Sequence, residues 1–487
     1  MIKKRNLFTV LGILPEPGGY SLAKFSRGYP KQTYQDWVKE LTTEGAEKFY
    51  NTFYFDYGHT SIADMAHITV IVENISTVAR MALIDEPLMD VQEVSTRYVN
   101  FSEPNYETPP EIIKANLTSE YKSACEFLFQ KYSYYYNKMV AFLEQKFWES
   151  RPKNMSDDKA ERTFNARAFD EARYCLPCAF HTSLGFIINA RTAEKIITRL
   201  KSHPLQELQG IGEDLKKAVR ERPAYSPHFK EFSVPSAPTL VKYAGTNSYL
   251  QHVYVRIYEF AQANILTDLP SPSNERSVEM FAPEDDEIDL AATMLFRVLP
   301  HSYTQISNIV RNWSKKKIGD LINIAYSDRR GRDPLIRELA TGRLTFDVCL
   351  DNGAFRDLHR HRNMIHIFKN LTGEHGIDVP YEMKFNQDLA DEFIEDMSKN
   401  IDLAKKLDRM KPGLGEYILP LAARRRVLFR LDPKQLQYLT ELRTTPKGNW
   451  SYRDIAYLMF LEYKKRYPLR AKHFRLTNPE TTEFWNR

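Results

Sequence analysis

Hydrophobic and polar positions along this chain follow two periods. The run His67-Ile68-Thr69-Val70-Ile71-Val72 is rich in β-branched residues and predicts a strand. Residues 7–14 read as another, closed by the turn Pro15-Glu16-Pro17-Gly18-Gly19. Helical patterning covers 34–50, 75–83, 171–179, 190–200 and 249–265. A longer helical stretch runs from 111 to 148, with Ala124, Phe127, Leu128 and Tyr132 near helical spacing. Between 222 and 239 the text turns Pro- and Ser-rich (Pro223, Pro227, Pro235, Pro238) and reads as a linker; Pro270-Ser271-Pro272-Ser273 reads as a loop. Strands and helices interleave, so the class is α+β, with a central mixed sheet and long helices expected in each domain.

The pattern repeats. Residues 68–80 (ITVIVENISTVAR) set above 344–356 (LTFDVCLDNGAFR) match without a gap at an offset of 276, with Thr69/Thr345, Val72/Val348 and Arg80/Arg356 identical. Cys175-Leu176-Pro177 and Ile418-Leu419-Pro420 match at an offset of 243, so the first half carries 276 − 243 = 33 more residues between the landmarks. Two matches in one order argue for an internal duplication: a domain at 1–230, a linker with a helix at 231–274, and a second domain at 275–487.

Composition narrows the class. At ~100–200 residues per domain, 487 residues give two to four domains, and 43% hydrophobic with 13% aromatic content excludes disorder. The net charge, 68 − 63 = +5, suits anionic small molecules and does not signal nucleic-acid binding. Four cysteines cannot form a disulfide framework, and no segment approaches the ~18 apolar residues of a membrane span. Lys3-Lys4-Arg5 before an apolar run resembles a signal peptide, but Pro15–Gly19 replaces the small-residue cleavage site. A cytoplasmic protein without nucleic-acid or membrane partners is expected.

Candidate chemistry concentrates in two strings. In Arg356-Asp357-Leu358-His359-Arg360-His361-Arg362, a helix would place Arg356 and Arg360 on one face, either as a guanidinium clamp for phosphate or as a solvated basic surface. A metal site at His359, His361 and His366 is disfavoured, because the arginines repel a cation and no acidic or Cys ligand is adjacent; no metal is expected. In Gln92-Glu93-Val94-Ser95-Thr96-Arg97-Tyr98, an extended chain would project Glu93, Ser95 and Arg97 to one side, a nest for a sugar hydroxyl and phosphate. Cys175-x-x-Cys178 lacks the partners of a zinc or redox site, and Gly210-Ile211-Gly212 lacks the third glycine of a dinucleotide loop. Lys315–Lys317, Arg329–Arg332 and Arg424–Arg426 read first as solvated basic faces, with a phosphate-gathering rim as the functional alternative.

Together the strings resemble a known family. His59-Thr60-Ser61-Ile62-Ala63-Asp64, the 68–80 segment, Glu93-x-Ser95-x-Arg97-Tyr98, Ala172-Arg173-x-x-Leu176-Pro177 and Asn189-Ala190-Arg191 follow in the order of the flavin-dependent thymidylate synthases, the ThyX family. The family signature is Arg-His-Arg, seven residues, then Ser. Arg360-His361-Arg362 is followed at that spacing by Asn370, whereas Ser95 is preceded by Asp85-Glu86-Pro87. Each half holds the part that the other lacks. Glu416 stands where Arg173 would, Asp432-Pro433-Lys434 where Asn189-Ala190-Arg191 would, and Leu200 or Lys201 where Arg443 would. Asp64, Met65 and Asp357 replace the usual Glu, His and Gln.

The resemblance implies reductive methylation of dUMP with FAD, methylenetetrahydrofolate and NADPH, in one composite site built from both halves. It implies that Glu93, Ser95, Arg97, Arg173, Arg356, Arg360 and Arg443 bind the nucleotide, with Arg443 also catalytic through polarising the uracil. The flavin would meet His59, Ser61, Asp64, Asn189, Arg191, Arg360, His361 and Arg362. A family tetramer would be mimicked by a homodimer. A related pyrimidine-nucleotide methylase or hydroxymethylase, and a non-catalytic nucleotide-binding scaffold, are the alternatives.

Overall fold

The computed structural model describes residues 12–28, 41–56, 60–97, 99–225, 234–264, 274–282, 286–327, 329, 335–481 and 484–486. Among these, seven strands form two sheets, confirming an α+β fold. In the first, β1 (His67–Ser76), β2 (Asp90–Glu93) and β3 (His181–Asn189) run in the order β1-β3-β2. In the second, β4 (Ser277–Phe281), β5 (Leu344–Asp351), β6 (Ile365–Phe368) and β7 (Arg424–Leu431) run β4-β5-β7-β6. Every pairing is antiparallel, where a mixed sheet was expected. Alternate residues of β3 and β7 are buried, as one-sided antiparallel sheets require.

The strand registers prove the duplication. Ile68 pairs with Ile188, and Leu344 pairs with Leu431, which reproduces the 276 and 243 offsets. β1 then departs from its copy. Its register shifts between Val72 and Ile75, where Asn74 takes φ 57°, a bulge of one extra residue. Beyond it Ile75 pairs with Thr182 and Leu350 with Arg425, so the offset falls to 350 − 75 = 275. The identity Arg80/Arg356 is therefore not an equivalence: Arg356 corresponds to Met81, and Arg80 to Phe355. The caps agree, since Ser76 accepts from the Ala79 amide and Asp351 from the Ala354 amide, each at its helix N-terminus.

The repeats meet around a pseudo-twofold axis. Cys178 N donates to Leu419 O at 2.8 Å and Leu421 N to Leu176 O at 2.9 Å; Ala179 N donates to Tyr417 O at 2.7 Å and Ala422 N to Tyr174 O at 3.0 Å. Each bond maps onto its mate at the offset of 243, the reciprocity of an isologous interface. Pro177 opposes Pro420 at the crossing. The main hydrophobic cluster draws on both repeats, with Tyr135, Phe186 and Leu176 joined to Phe393, Leu414 and Leu419.

Several expectations change. Of the strand expected at 7–14, residues 7–11 lie outside the described residues and 12–14 form no strand; the helix Pro15–Gly28 begins instead at the supposed turn. Residues 34–40 of the second expected helix also lie outside, and the described part is Thr43–Tyr50. The long helical stretch divides into Pro110–Lys114 and Thr118–Phe147, broken where Asn116 takes φ 58°. The helix expected at 171–179 ends by Cys175, because Pro177 and its neighbours extend to bond the other repeat. Of the supposed linker, 226–233 lie outside the described residues, as does the loop expected at 270–273. Beyond them Glu16 accepts from the Thr239 and Leu240 amides at 2.8 and 2.7 Å, and Ala237, Leu240 and Val241 are buried. Arg424–Arg426 is no solvated face: on β7, Arg424 bonds Asp378, Arg425 bonds buried Glu416, and Arg426 bonds Asp347.

Candidate active site between the repeats

β2 ends at Glu93, and the chain then turns, so Ser95 and Arg97 do not project beside it as an extended strand would demand. Instead the Arg97 amide donates to the Ser95 hydroxyl at 3.2 Å. From the other repeat, the helix Asn352–Leu358 brings Arg356 and Asp357 against this turn and stops before Arg360. Arg356 and Arg360 thus do not share a helix face. They converge nonetheless on Glu93, at 3.6 Å and 3.8 Å.

Glu93 is the hub. Arg80 Nε lies 2.5 Å from its Oε2, and Arg80 is itself fully buried. Burial alone would push this carboxyl up, but Arg356 and Arg80 outweigh it and hold it below its ordinary 4.5. Arg356 also donates to Thr96 Oγ1 and Val94 O, both at 3.1 Å. Thr96 Oγ1 accepts a second bond, from Arg173 at 3.1 Å, and Arg173 reaches Asp357 Oδ2 at 3.2 Å. Arg97 donates to Asp170 at 3.0 Å and to Lys447 O at 3.1 Å, tying the first repeat to the segment after Arg443.

Asp357 sits at the seam as a permanent anion. Its burial opposes charge, yet Arg173, Arg443, Arg97 and Arg360 bring its carboxyl down to about 2. Arg443 donates Nε–H to His361 Nε2 at 2.7 Å and an Nη2 proton to Asp357 O at 2.9 Å. His361 must then accept at Nε2 and carry its proton on Nδ1. Burial and the adjacent Arg443 keep it neutral, its pKa falling to about 3. Arg362 pairs with Asp90 at 2.5 Å.

A cleft of about 1150 Å³ opens against this cluster, lined by Arg360, His361, Arg362 and Arg443 of one repeat and Gln92 and Ile187 of the other. Ser95, Arg97, Arg173 and Arg356 do not line it. Arg173 Nε lies 3.4 Å from Asp170 Oδ1, and the buried Nε of Arg356 has no hydrogen-bond partner.

The remaining candidates lie apart. Asp64 pairs with Arg191 at 2.6 Å. Asn189 caps the helix Ala190–Lys201, accepting from Thr192 N at 2.8 Å, and Asp432 caps Pro433–Arg443 in the same way. The Asn-to-Asp difference thus exchanges one good cap for another. His59 lies outside the described residues, and only the backbone of Ser61, in the turn Thr60–Met65, is described. Cys175 and Cys178 are buried free thiols pushed up by burial, consistent with packing rather than reactivity. Sequence reasoning missed Arg80, Thr96 and Asp170. A signal for Arg80 existed: a lone charge in the apolar helix Thr77–Ile84 must find a partner if that helix packs.

Fold and site define a duplicated α+β unit whose ion-paired, arginine-rich centre needs both copies. The family model described as thymidylate synthase complementing protein matches residues 20–223 and 289–469, and the chain belongs to that family. It is similar to a UPF0159 protein of Chlamydia muridarum, 28% identical over 448 residues, 88% of this chain and 80% of the relative. A flavin-dependent thymidylate synthase of Clostridium tetani is 27% identical over 203 residues, 42% of this chain and 76% of that protein. Among solved structures, a UMP/dUMP methylase, PolB of Streptomyces cacaoi bound with 5-Br dUMP, matches with TM-score 0.32 and 14% identity, covering 42% of this chain and 95% of its own. Among the described residues, no helix is long and apolar enough to cross a membrane.

Proposed function

We propose that the chain is a flavin-dependent nucleotide methylase of the thymidylate synthase type, converting dUMP to dTMP with methylenetetrahydrofolate and NADPH. The observation that carries this reading is the meeting of Glu93 with Arg356 and Arg360 within 4 Å across the repeats, beside an arginine-lined cleft. The residues fit FAD: the cleft is large enough for a dinucleotide and presents Arg360, Arg362 and Arg443 as donors. Arg360, His361 and Arg362 would hold the flavin, whereas Asp64, Asn189 and Arg191 do not line this cleft. When bound, FAD supplies the hydride chemistry.

The chain's own groups bind and orient. Ser95 offers a hydroxyl to the nucleotide, and Arg97, partly exposed, meets its phosphate. Arg173, fully buried, supports through Thr96 and Asp357. Arg443, fixed by His361 and the Asp357 carbonyl, stabilises negative charge developing on the pyrimidine. No protein nucleophile is needed.

A second reading keeps the site and changes the base. Asp357, where the family carries Gln, is an acceptor-only anion, and an acceptor there suits the amino group of a cytosine nucleotide. The deciding experiment is an absorbance spectrum at about 300–500 nm with FAD and then dUMP, followed by turnover on dUMP, UMP and dCMP. Flavin bands that shift with dUMP support the first reading, and preference for dCMP supports the second. A colourless protein that ignores FAD overturns both and leaves a non-catalytic scaffold. A homodimer by sedimentation would match four repeats to the family tetramer.

A further inference from the structure

Duplication makes two equivalent pockets, and the second carries a different chemistry. β2 pairs Val91 with Phe186, and β6 pairs His366 with Phe429, so His366 corresponds to Val91 at the offset of 275. By the same register His359 corresponds to Ile84, and Asp85 to Arg360. The second pocket, about 640 Å³, is lined by Asp85, His359, His366, Arg343, Arg430 and Asp432.

In it three ligand-type groups converge. His359 Nε2 lies 3.3 Å from Asp85 Oδ1, the rings of His359 and His366 are 4.8 Å apart, and one ligand atom from each of the three residues lies within 4.8 Å of the others. His359 is 2% exposed. The His366 ring finds a backbone partner at Leu358, while its Nε2 is buried with none. A nitrogen left unpaired while the other ring nitrogen is fixed is the arrangement of a metal-ligating imidazole. Packing does not demand it, because the copy fills the equivalent places with Ile84 and Val91.

We propose that Asp85, His359 and His366 bind a divalent transition-metal ion of the zinc class, with two imidazoles and one carboxylate as ligands and the pocket supplying the open position. Nitrogen-rich donors of this kind select zinc-like ions over Mg²⁺ or Ca²⁺, which take oxygen. Of the cations nearby, Arg425 pairs with Glu416 and Arg80 with Glu93. Arg199 donates to the Asp85 and Ala82 carbonyls and lies 3.8 Å from the Asp85 carboxylate, while Arg343 and Arg430 on the pocket lining are exposed to solvent. Binding at ~2.0–2.2 Å from each ligand asks for a small inward turn of His366, which sits on β6 at the edge of its sheet. Sequence adjacency pointed to His361 instead and found no acidic ligand, because Asp85 comes from the other repeat.

The test is titration of the chelator-stripped full chain with Co²⁺ alone, read by visible d–d absorption, with a parallel urea unfolding series in Zn²⁺. One equivalent of low-symmetry Co²⁺, displaced by Zn²⁺, and a Zn²⁺-raised urea midpoint are expected. Asp85→Asn and His366→Val, the latter copying Val91, should each weaken Co²⁺ binding by at least about tenfold and abolish the midpoint shift. No Co²⁺ spectrum, or wild-type affinity in both variants, overturns the site.

Discussion

Two pockets related by the pseudo-twofold axis have diverged in opposite directions. On one side Arg80, Glu93 and Arg356 form a buried ion cluster; their equivalents on the other are Phe355, Phe368 and Met81, with the two rings 5.0 Å apart in the second hydrophobic cluster. Arg443 corresponds to Leu200, and Arg173 to Glu416, which is occupied structurally, accepting from Leu371 N at 3.1 Å and pairing with Arg425. One scaffold therefore folds with either content. Buried ion clusters are commonly no more stable than apolar replacements of similar volume, so stability does not explain the charges. Their persistence on the side with the arginine-lined cleft is what a ligand-binding role would produce.

The largest effect expected from breaking this contrast is at Glu93. Glu93→Gln leaves Arg80 and Arg356 buried without their counter-ion and should cost about 3–5 kcal/mol in urea unfolding. Phe368→Leu, at the equivalent place, should cost under about 1.5 kcal/mol. The Glu93 effect should also depend on pH. Its folded pKa lies below its unfolded value of 4.5, so its contribution is fully present above 4.5 and is lost as pH falls through the folded value. Glu93→Gln should flatten the acid limb of the stability profile, and a limb as steep as wild type would show that other carboxylates set it.

Next is a transplant. Arg80→Phe/Glu93→Phe/Arg356→Met gives the first pocket the content of the second. If the cluster serves the nucleotide, dUMP affinity by calorimetry should fall about 100-fold, roughly 2.7 kcal/mol, while the urea midpoint stays near wild type. Retained dUMP affinity in a folded triple variant would sever the cluster from the ligand.

What the sequence disclosed follows from which interactions are local. The β1 run, the helix 190–200 and the repeat were legible because side-chain periodicity survives duplication. The equivalence of Arg80 with Arg356 was misread because one bulge residue at Asn74 shifts every later pairing without changing the residue pattern around it. Glu93, Arg173, Arg356 and Arg360 could be picked out singly, whereas their convergence across the repeats could not. Asp85 was read only as a missing Arg; its neighbour His359 lies 274 residues away in sequence. Arg424–Arg426 looked like a charged surface, since pairing with Asp378, Glu416 and Asp347 is tertiary.

The smallest effect tests whether a family-matching residue has a local duty alone. Asn189 and Asp432 occupy equivalent N-caps, accepting from Thr192 N and Gln435 N, both at 2.8 Å. Asn189→Ala should cost about 1 kcal/mol, and Asn189→Asp, which copies the other repeat, less than about 0.5 kcal/mol. Flavin affinity separates capping from ligand contact. If Asn189 only caps, Asn189→Asp binds FAD as wild type does, because the helix and its start are unchanged. If its amide also donates to the cofactor, the carboxylate cannot replace that donor and adds a negative charge near a phosphate-bearing ligand. Affinity would then fall with stability intact, and the Asn/Asp pair would join Arg443/Leu200 among the differences that separate the two pockets.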